Sequence, residues 1–445
     1  MSKQRSDPHI QPRIIIHGGA GNIHRENLSK ESYEAYKASL LRILSQVSPL
    51  LALPDATALD IATYAVKLLE DNPLFNCGKG AVFTRTGTVE LESSVMVSKG
   101  YRKRGVGCMT LKHVKNPILL AKEMLIRGEK EDGGGAGAHC QMSGDELERL
   151  AGRWGLEMVD QSYFFTKRRW DEHQRGLGKS EASIAQPFEK IDGHDGGPSW
   201  DGHEYLPQGT VGAVVLDRFG TICAATSTGG LTNKLPGRIG DTPTLGAGFW
   251  AEEWTREFSK HLAQSGPPSS IASTHDLFTF SRIVSDLFSS FGDVSDVFRL
   301  HSSISDVLTS CWPRSTPSRQ PETLSSDCKE QPQLTNYAIG MSGTGNGDSF
   351  LRISAVRTAA AISRFSTPPI PLSEAVTQIA GPGGELQLSA GDRWGKTGEG
   401  EGGIIGIELV KSQGKVVWDF NCGGMFRAWV DDDGRSHFMA FRDDY

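Results

Sequence analysis

Two apolar runs separated by a short polar turn constrain this chain more than any other feature. Residues 210–216 and 221–226 are rich in valine, alanine and isoleucine, and residues 217–220 between them contain aspartate and glycine, which favour turns. We therefore predict a β-hairpin in which Thr228 lies opposite Thr210. Directly opposed residues share a face, with Cβ atoms about 5 Å apart, whereas a one-residue slip would move Thr228 to the other face.

The two threonines indicate catalysis only under one condition. A threonine hydroxyl is a poor nucleophile at neutral pH and needs a base within hydrogen-bonding distance. If the chain is cut between Gly209 and Thr210, the new α-amine of Thr210, with a reference pKa of about 7.7–8.0, can be that base. Threonines are also common in strands because they are β-branched, so the pair by itself favours ordinary strand structure.

Composition excludes several classes of function. The 445 residues carry 47 basic and 53 acidic side chains, and this net charge of −6 provides no basic field for nucleic acid or acidic lipid. The chain has no run of about 18 apolar residues that would predict a membrane helix. The first eight residues are polar, and the seven cysteines are scattered without metal-ligand spacing. We therefore expect a reduced, cytoplasmic protein.

Apolar periodicity predicts helices and strands in both halves of the chain. The predicted helices are 29–47, 56–70, 117–127, 144–154, 350–364 and 372–380, and the predicted strands, besides a hairpin at 82–96, are 13–19, 106–111, 404–410, 415–420 and 437–442. The strand at 211–216 is apolar on both faces, as expected for a sheet covered on both sides.

Two segments depart from this pattern. Residues 163–209 are polar, and we expect a flexible linker that leads into Thr210. Residues 264–335 contain serine- and proline-rich flanks around a helical stretch, which predicts an inserted excursion of unknown role. A metal site at His194 and His203 is disfavoured because a flexible linker lacks the hydrogen bonds that orient metal ligands.

A phosphate-loop pattern occurs at residues 390–397, which include Lys396 and Thr397. A true phosphate loop follows a buried strand and opens a helix. Here residues 385–388 predict only a weak strand, and the glycine- and glutamate-rich residues 398–403 do not favour a helix. We interpret the pattern as coincidental, since the acidic side chains would also repel phosphate.

Motifs spread along most of the chain carry a resemblance to a known family. They are IHGGAG (16–21), PLFNCGKG (73–80), GTVGAV (209–214), ATSTGG (225–230), GRIGDTP (237–243), GTGNG (343–347) and FNCGGMFR (420–427). In this order they resemble the plant-type (type 2) L-asparaginase and isoaspartyl peptidase family of the N-terminal nucleophile (Ntn) hydrolases. The match covers most of the chain outside 160–205 and 264–335.

This resemblance implies a single α+β domain with the four-layer αββα sandwich of Ntn hydrolases. It implies an inactive precursor that cuts itself before Thr210 into an α subunit (1–209) and a β subunit (210–445), which stay together. The implied reaction is hydrolysis of the side-chain amide of L-asparagine, of β-aspartyl dipeptides, or of both, with release of L-aspartate. A homodimer of αβ units is implied as well.

The resemblance also implies roles for individual residues. Thr210 is the nucleophile and its amine the base, while Thr228 hydrogen-bonds the Thr210 hydroxyl and Asn76 stabilises the site. Thr344 and the Gly345 N–H form the oxyanion hole, where one donor is typically worth about 2.7–4 kcal/mol.

The same resemblance implies which residues bind the α-carboxylate and the α-ammonium of the substrate. Arg238 grips the α-carboxylate, which a guanidinium fork suits, and Asp241 binds the α-ammonium with help from the Gly347 backbone. Without the motifs that flank them, Arg238 and Asp241 would be interpreted as a surface ion pair.

Some family members hold a structural sodium ion with backbone carbonyls, which suit a hard cation. The corresponding residues here are Leu69, Glu70, Asn72, Phe75, Cys77 and Lys79. The resemblance implies no other cofactor.

Departures from the family pattern put the substrate in doubt more than the chemistry. Glu92 and Ser93 stand where the family commonly has Asp-Ala, Gly343 precedes Thr344 in place of a threonine, and the 264–335 insertion comes just before. Two alternatives stay open: a threonine-aspartase-like protease acting on proteins, and an uncleaved, non-catalytic scaffold.

Overall fold

The computed structural model describes residues 10–178, 209–258 and 333–443. The chain divides into two units, residues 1–256 with 335–445 and residues 257–334, and the description below concerns the first unit. The predicted insertion (except 333–335), the linker from 179 to 208 and both linker histidines lie outside the described residues. Within the described ranges, no helix has the length and apolar character needed to cross a membrane.

Strands and helices both occur in each half of the described chain. The strands are β1 (Arg13–Gly21), β2 (Leu91–Val97), β3 (Gly105–Leu111), β4 (Gln141–Ser143), β5 (Val211–Leu216), β6 (Ile222–Thr228), β7 (Phe249–Phe258), β8 (Gln333–Gly345), β9 (Gly402–Val410), β10 (Gln413–Phe420), β11 (Gly424–Val430) and β12 (Ser436–Met439). The α-helices are α1 (Lys30–Val47), α2 (Ala58–Glu70), α3 (Pro117–Arg127), α4 (Gly144–Arg153), α5 (Lys167–Gly176), α6 (Gly347–Ile353), α7 (Ala355–Phe365), α8 (Leu372–Ala380) and α9 (Glu385–Ala390). The predicted mixture of helices and strands is confirmed.

The strands form two sheets. One has eight strands in the order β12-β11-β1-β5-β6-β2-β3-β4, and the other has four in the order β10-β9-β8-β7. Strand β1 lies between β11 and β5 and is antiparallel to both. This pairing places the N-terminal strand beside β5, the strand that begins directly after Thr210.

Apolar side chains collect in three large clusters. One joins α1–α4 to the eight-stranded sheet, and another contains residues of both sheets, such as Val214 and Ile405. The third joins the four-stranded sheet to α6–α9 through residues such as Met341 and Val356. The strand at 211–216 is buried throughout, as its apolar pattern predicts.

Local signals explain where several helices begin and end. Ser29 and Thr57 cap α1 and α2 by accepting from backbone N–H groups in the first turn, and α3 begins with proline, whose missing N–H costs nothing there. The predicted helix at 350–364 is instead two helices, α6 and α7. Ser354 between them adopts a left-handed conformation with φ 46°, which interrupts the helical hydrogen bonds.

Other predictions need correction. The hairpin predicted at 82–96 has its turn where expected, since Thr84 N–H donates to the Thr88 carbonyl at 2.7 Å. Its arms are not two strands, however, because β2 begins only at residue 91. The weak strand predicted at 385–388 is part of helix α9. The segment predicted as linker from residue 163 begins with an ordered helix, α5, capped by Thr166.

Candidate active site

The hairpin of β5 and β6 has the predicted register. Val211 pairs with Ser227 and Gly212 with Thr226. Thr210 and Thr228 therefore come next at the open end of the hairpin, facing each other across the two strands.

A narrow pocket lies at this end of the hairpin. Its empty volume, which includes solvent at its mouth, is about 220 Å³. Most of the residues that the sequence assigns to catalysis and substrate binding meet here. The lining residues are Thr210, Thr228, Gly230, Leu231, Arg238, Asp241, Gly345 and Gly347.

The predicted hydrogen bond between Thr228 and Thr210 is absent from the described chain. The Thr210 hydroxyl instead lies 2.8 Å from the hydroxyl of Thr242, and the Thr228 hydroxyl accepts from the Gly230 N–H at 3.0 Å. Gly230 is in the turn directly after β6, so its N–H is the nearer partner for Thr228. Thr228 remains in the pocket beside Thr210.

Thr242 is a site residue that the sequence reasoning missed. The Ser94 and Thr226 hydroxyls both donate to its carbonyl, at 2.6 and 3.2 Å, and so hold it beside Thr210. Its position directly after Asp241 in the GDTP motif was the available signal. Thr242 is fully buried, which makes it the fixed partner of the Thr210 hydroxyl in this chain.

Gly209 is packed against two distant strands. A Cβ at this position would lie 2.5 Å from the Ala20 nitrogen and 2.6 Å from both the Gly19 Cα and the Thr344 hydroxyl oxygen. Real Cβ atoms do not approach other atoms so closely, and the first two of these neighbours are backbone. Only glycine therefore fits at the peptide bond before Thr210.

Thr344 lies beside this peptide bond rather than in the pocket wall. It is fully buried, and its hydroxyl accepts from the Ala20 N–H at 3.2 Å. Of the two predicted oxyanion-hole residues, Gly345 lines the Thr210 pocket and Thr344 does not.

His17 is a second residue for which the sequence reasoning assigned no role. Its Nε2 lies 2.7 Å from the Ser342 hydroxyl in the buried layer next to Gly212. Burial lowers the pKa of His17 to about 3, with a smaller opposing contribution from the Thr210 backbone. The imidazole is therefore neutral near Thr210. Its place in the IHGGAG motif was the sequence signal that could have pointed to this residue.

Arg238 and Asp241 form the charged end of the pocket. Arg238 donates to the exposed Asp348 at 3.2 Å, and its Nε has no hydrogen-bond partner in the described structure. Burial raises the pKa of Asp241 to about 7, and the nearby Arg238 guanidinium partly opposes this. A Cβ on Gly347 would lie 2.5 Å from an Asp241 carboxylate oxygen, so Gly347 keeps this end open.

Glu92 supports the loop that carries Arg238 and Asp241. It faces Thr228 across β2 and β6, and its carboxylate accepts from the Gly240 N–H at 3.0 Å. Burial raises the pKa of Glu92, while Lys234 and, more weakly, Arg238 act to lower it. This departure from the family pattern thus lies behind the head-group end of the pocket.

Asn76 supports the opposite wall. Its side chain donates to the Gly230 carbonyl at 2.8 Å and accepts from the Val82 N–H at 3.1 Å. It therefore fixes the turn after β6 without lining the pocket itself.

The residues named for sodium lie at the C-terminal end of α2 and in the loop that follows it. Four of the six carbonyls accept backbone hydrogen bonds there, those of Leu69, Asn72, Phe75 and Cys77, at 3.2, 3.3, 2.9 and 3.1 Å. A carbonyl oxygen has a second lone pair, so these bonds leave capacity for a cation. Among the described residues, no cluster of histidine, cysteine and acidic side chains could hold a metal ion.

Comparison with known proteins identifies a matching family and several similar proteins. Residues 10–257 match the family model described as asparaginase. The chain is 35% identical over 256 residues to the putative isoaspartyl peptidase/L-asparaginase of Dictyostelium discoideum, covering 54% of this chain and 70% of that one. It is 39% identical over 238 residues to the isoaspartyl peptidase of Salmonella typhimurium (54% and 69%). It is 33% identical over 263 residues to the plant-type L-asparaginase of Pyrococcus furiosus (59% and 77%).

Proposed function

The chain belongs to the asparaginase family, and we propose that it hydrolyses the side-chain amide of L-asparagine and β-aspartyl (isoaspartyl) dipeptides to release L-aspartate. One observation carries the proposal. Arg238 and Asp241 line the same narrow pocket as Thr210, so a fixed cation and a fixed anion face one candidate nucleophile. A free amino-acid head group needs this pair of charges, and its side-chain carbonyl then lies within reach of Thr210.

Chain cleavage at Gly209–Thr210 is the second part of the proposal. In the continuous chain the Thr210 nitrogen is part of a peptide bond, so it cannot act as a base. Cleavage frees this amine, which then activates the Thr210 hydroxyl. The tight packing of Gly209 against Gly19, Ala20 and Thr344 holds this peptide bond in one fixed position, which supports cleavage at this bond.

Thr344 serves both stages in this scheme. Its hydroxyl lies beside the bond to be cut, where it can stabilise charge on the Gly209 carbonyl oxygen. After cleavage, the same hydroxyl and the Gly345 N–H form the oxyanion hole for the substrate. Thr228 then takes up its predicted hydrogen bond to Thr210.

The arrangement of clusters supports a four-layer αββα sandwich. One cluster contains residues of both sheets, and each sheet has a further cluster with its own set of helices. We also propose, from the resemblance alone, a homodimer of αβ units; a single αβ mass in light scattering would contradict it. A cytoplasmic location agrees with the free thiols of the described cysteines and is tested by cell fractionation.

We propose that the loop after α2 binds a sodium ion through backbone carbonyls. Replacing sodium chloride by choline chloride at equal ionic strength is then expected to lower the Tm by about 3 °C, because a ligand that binds only the folded state stabilises it. Differential scanning fluorimetry measures this change. Equal Tm values in both salts would contradict a sodium site.

The buried carboxyl of Asp241 predicts a pH dependence of head-group binding. Since its pKa is about 7, the group is ionised above pH 7 and neutral below it. Only the ionised form attracts the α-ammonium, so the affinity for L-aspartate is expected to fall about tenfold for each pH unit below 7. Calorimetry on the mature enzyme between pH 5 and 8 measures it. The Asp241→Asn variant is expected to lose this slope, and a constant affinity in the unaltered enzyme would contradict the assignment.

The protease alternative receives less support. The residue before the nucleophile is glycine, and the charged end of the narrow pocket matches a free amino-acid head group rather than a protein segment.

The proposed function is tested by intact-mass spectrometry followed by an assay of aspartate release. Two fragments that split at Gly209–Thr210, together with aspartate formed from L-asparagine and a β-aspartyl dipeptide, are expected. A single uncut mass without product would favour the scaffold alternative.

A further inference from the structure

A second, larger pocket adjoins the Thr210 pocket. Both pockets are lined by Leu231 and Gly345, and the second is also lined by Gly209. Its empty volume is about 1460 Å³ and includes an open mouth, against about 220 Å³ for the narrow pocket. The two pockets therefore meet at the residues that flank the candidate nucleophile.

One wall of the second pocket comes from the loop that carries the phosphate-loop pattern. Residues 395–398 and Glu401 line it, and Asn22 and His24 line it as well. This loop lies outside residues 10–257, which match the family model, so the wall is a feature of this chain that the match does not describe. It neither follows a strand nor opens a helix.

Lys396 supplies a cation to this wall. The loop is closed by the Thr397 hydroxyl, which accepts from the Glu399 N–H at 3.4 Å. The Glu399 carboxylate is already paired with Arg393 and Arg352, at 2.8 and 3.0 Å. Within the described parts of the chain, Lys396 itself has no ion-pair partner.

The other ionisable groups that line the pocket are His24 and Glu401. Burial raises the pKa of Glu401, and the nearby His24 partly opposes this rise. Because Lys396 has no ion-pair partner among the described residues, it is the lysine available to an incoming anion.

The position of a bound substrate follows from the proposed function, on which this inference rests. With its head group on Arg238 and Asp241 and its carbonyl carbon at Thr210, the scissile nitrogen points away from the charged end. It then faces the boundary with the second pocket. In asparagine this nitrogen leaves as ammonia, whereas in a β-aspartyl dipeptide it belongs to an amino acid with a free carboxylate.

We propose that the second pocket binds the leaving amino acid of β-aspartyl dipeptides and that Lys396 pairs with its carboxylate. Ammonia is too small to reach this wall. The loop at 395–401 therefore sets the preference for dipeptides over asparagine without taking part in bond cleavage.

The test uses the mature, full-length enzyme and the ratio of kcat/KM for β-aspartyl-leucine to kcat/KM for L-asparagine. The Lys396→Ala variant is expected to lower this ratio about fivefold, the effect of losing one partly exposed ion pair. Lys396→Arg should preserve the ratio. The matched control is Lys130→Ala, an exposed lysine that does not line the pocket.

A second measurement needs no variant. β-Aspartyl-leucine amide lacks the carboxylate of the leucine. The unaltered enzyme is therefore expected to cleave it about fivefold less efficiently than the free acid, β-aspartyl-leucine. Lys396→Ala should cleave the two dipeptides equally well. Equal rates for acid and amide in the unaltered enzyme, or an unchanged ratio in Lys396→Ala, would overturn the inference alone. Failure to hydrolyse any of the substrates would instead overturn the proposed function and this inference with it.

Discussion

The Thr210→Ala variant is expected to remain a single uncut chain and to release no measurable aspartate from L-asparagine or a β-aspartyl dipeptide. In the proposed mechanism the Thr210 hydroxyl attacks both the Gly209 carbonyl and the substrate, and alanine lacks this hydroxyl. The loss of a covalent nucleophile in other hydrolases lowers kcat by about 10⁴-fold or more. Intact-mass spectrometry and an aspartate assay measure the two consequences separately.

A matched substitution distinguishes lost chemistry from lost folding. Thr210→Ser keeps the hydroxyl, so this variant is expected to cut itself slowly and to retain activity. Thr242→Val tests a different group, because it keeps the Thr210 hydroxyl but removes the buried hydroxyl that contacts it. Circular dichroism should show the same melting transition for Thr210→Ala and the unaltered chain. Two fragments from Thr210→Ala would contradict the proposed self-cleavage.

The Arg238→Ala variant is expected to mature normally but to raise KM for both substrates by at least about 100-fold. Two charge-assisted hydrogen bonds to the α-carboxylate are lost, and each such bond contributes about 1.5–3 kcal/mol. Removing the guanidinium also takes away the charge that opposes the rise in the pKa of Asp241, so ammonium binding weakens as well. Steady-state kinetics on L-asparagine measures the change.

The kinetic pattern identifies the role of Arg238. A group that only binds the head group raises KM more than it lowers kcat. Arg238→Lys should recover part of the affinity, because lysine keeps the charge but not the two-pronged geometry. Arg153→Ala is the control, since that side chain is 59% exposed and lies in α4. An unchanged KM in Arg238→Ala would remove the residue from substrate binding.

The sequence predicted the hairpin better than the contacts around it. The two apolar runs and the turn residues between them determine the register of β5 and β6, which is why Thr210 and Thr228 face each other as expected. The partner of the Thr210 hydroxyl comes from a loop brought in by Ser94 and Thr226, and no local pattern indicates such a contact.

Helix boundaries were likewise predicted correctly only where local residues mark them. Helix α3 was predicted with both ends correct because proline and glycine mark them. The break at Ser354 was missed, since a single left-handed serine leaves the apolar periodicity unchanged on either side. The position of Lys396 in a pocket wall could not be predicted either, because no sequence pattern shows what the loop at 395–401 lines.

The packing of Gly209 has a consequence for the synthesis of the protein. The bond before Thr210 is held by Gly19 and Ala20 near the start of the chain and by Thr344 near its end. A growing chain on the ribosome lacks that last contact until most of the β subunit has been translated. If this packing positions the bond for the proposed self-cleavage, the cut comes only after Thr344 has been synthesised and packed against Gly209.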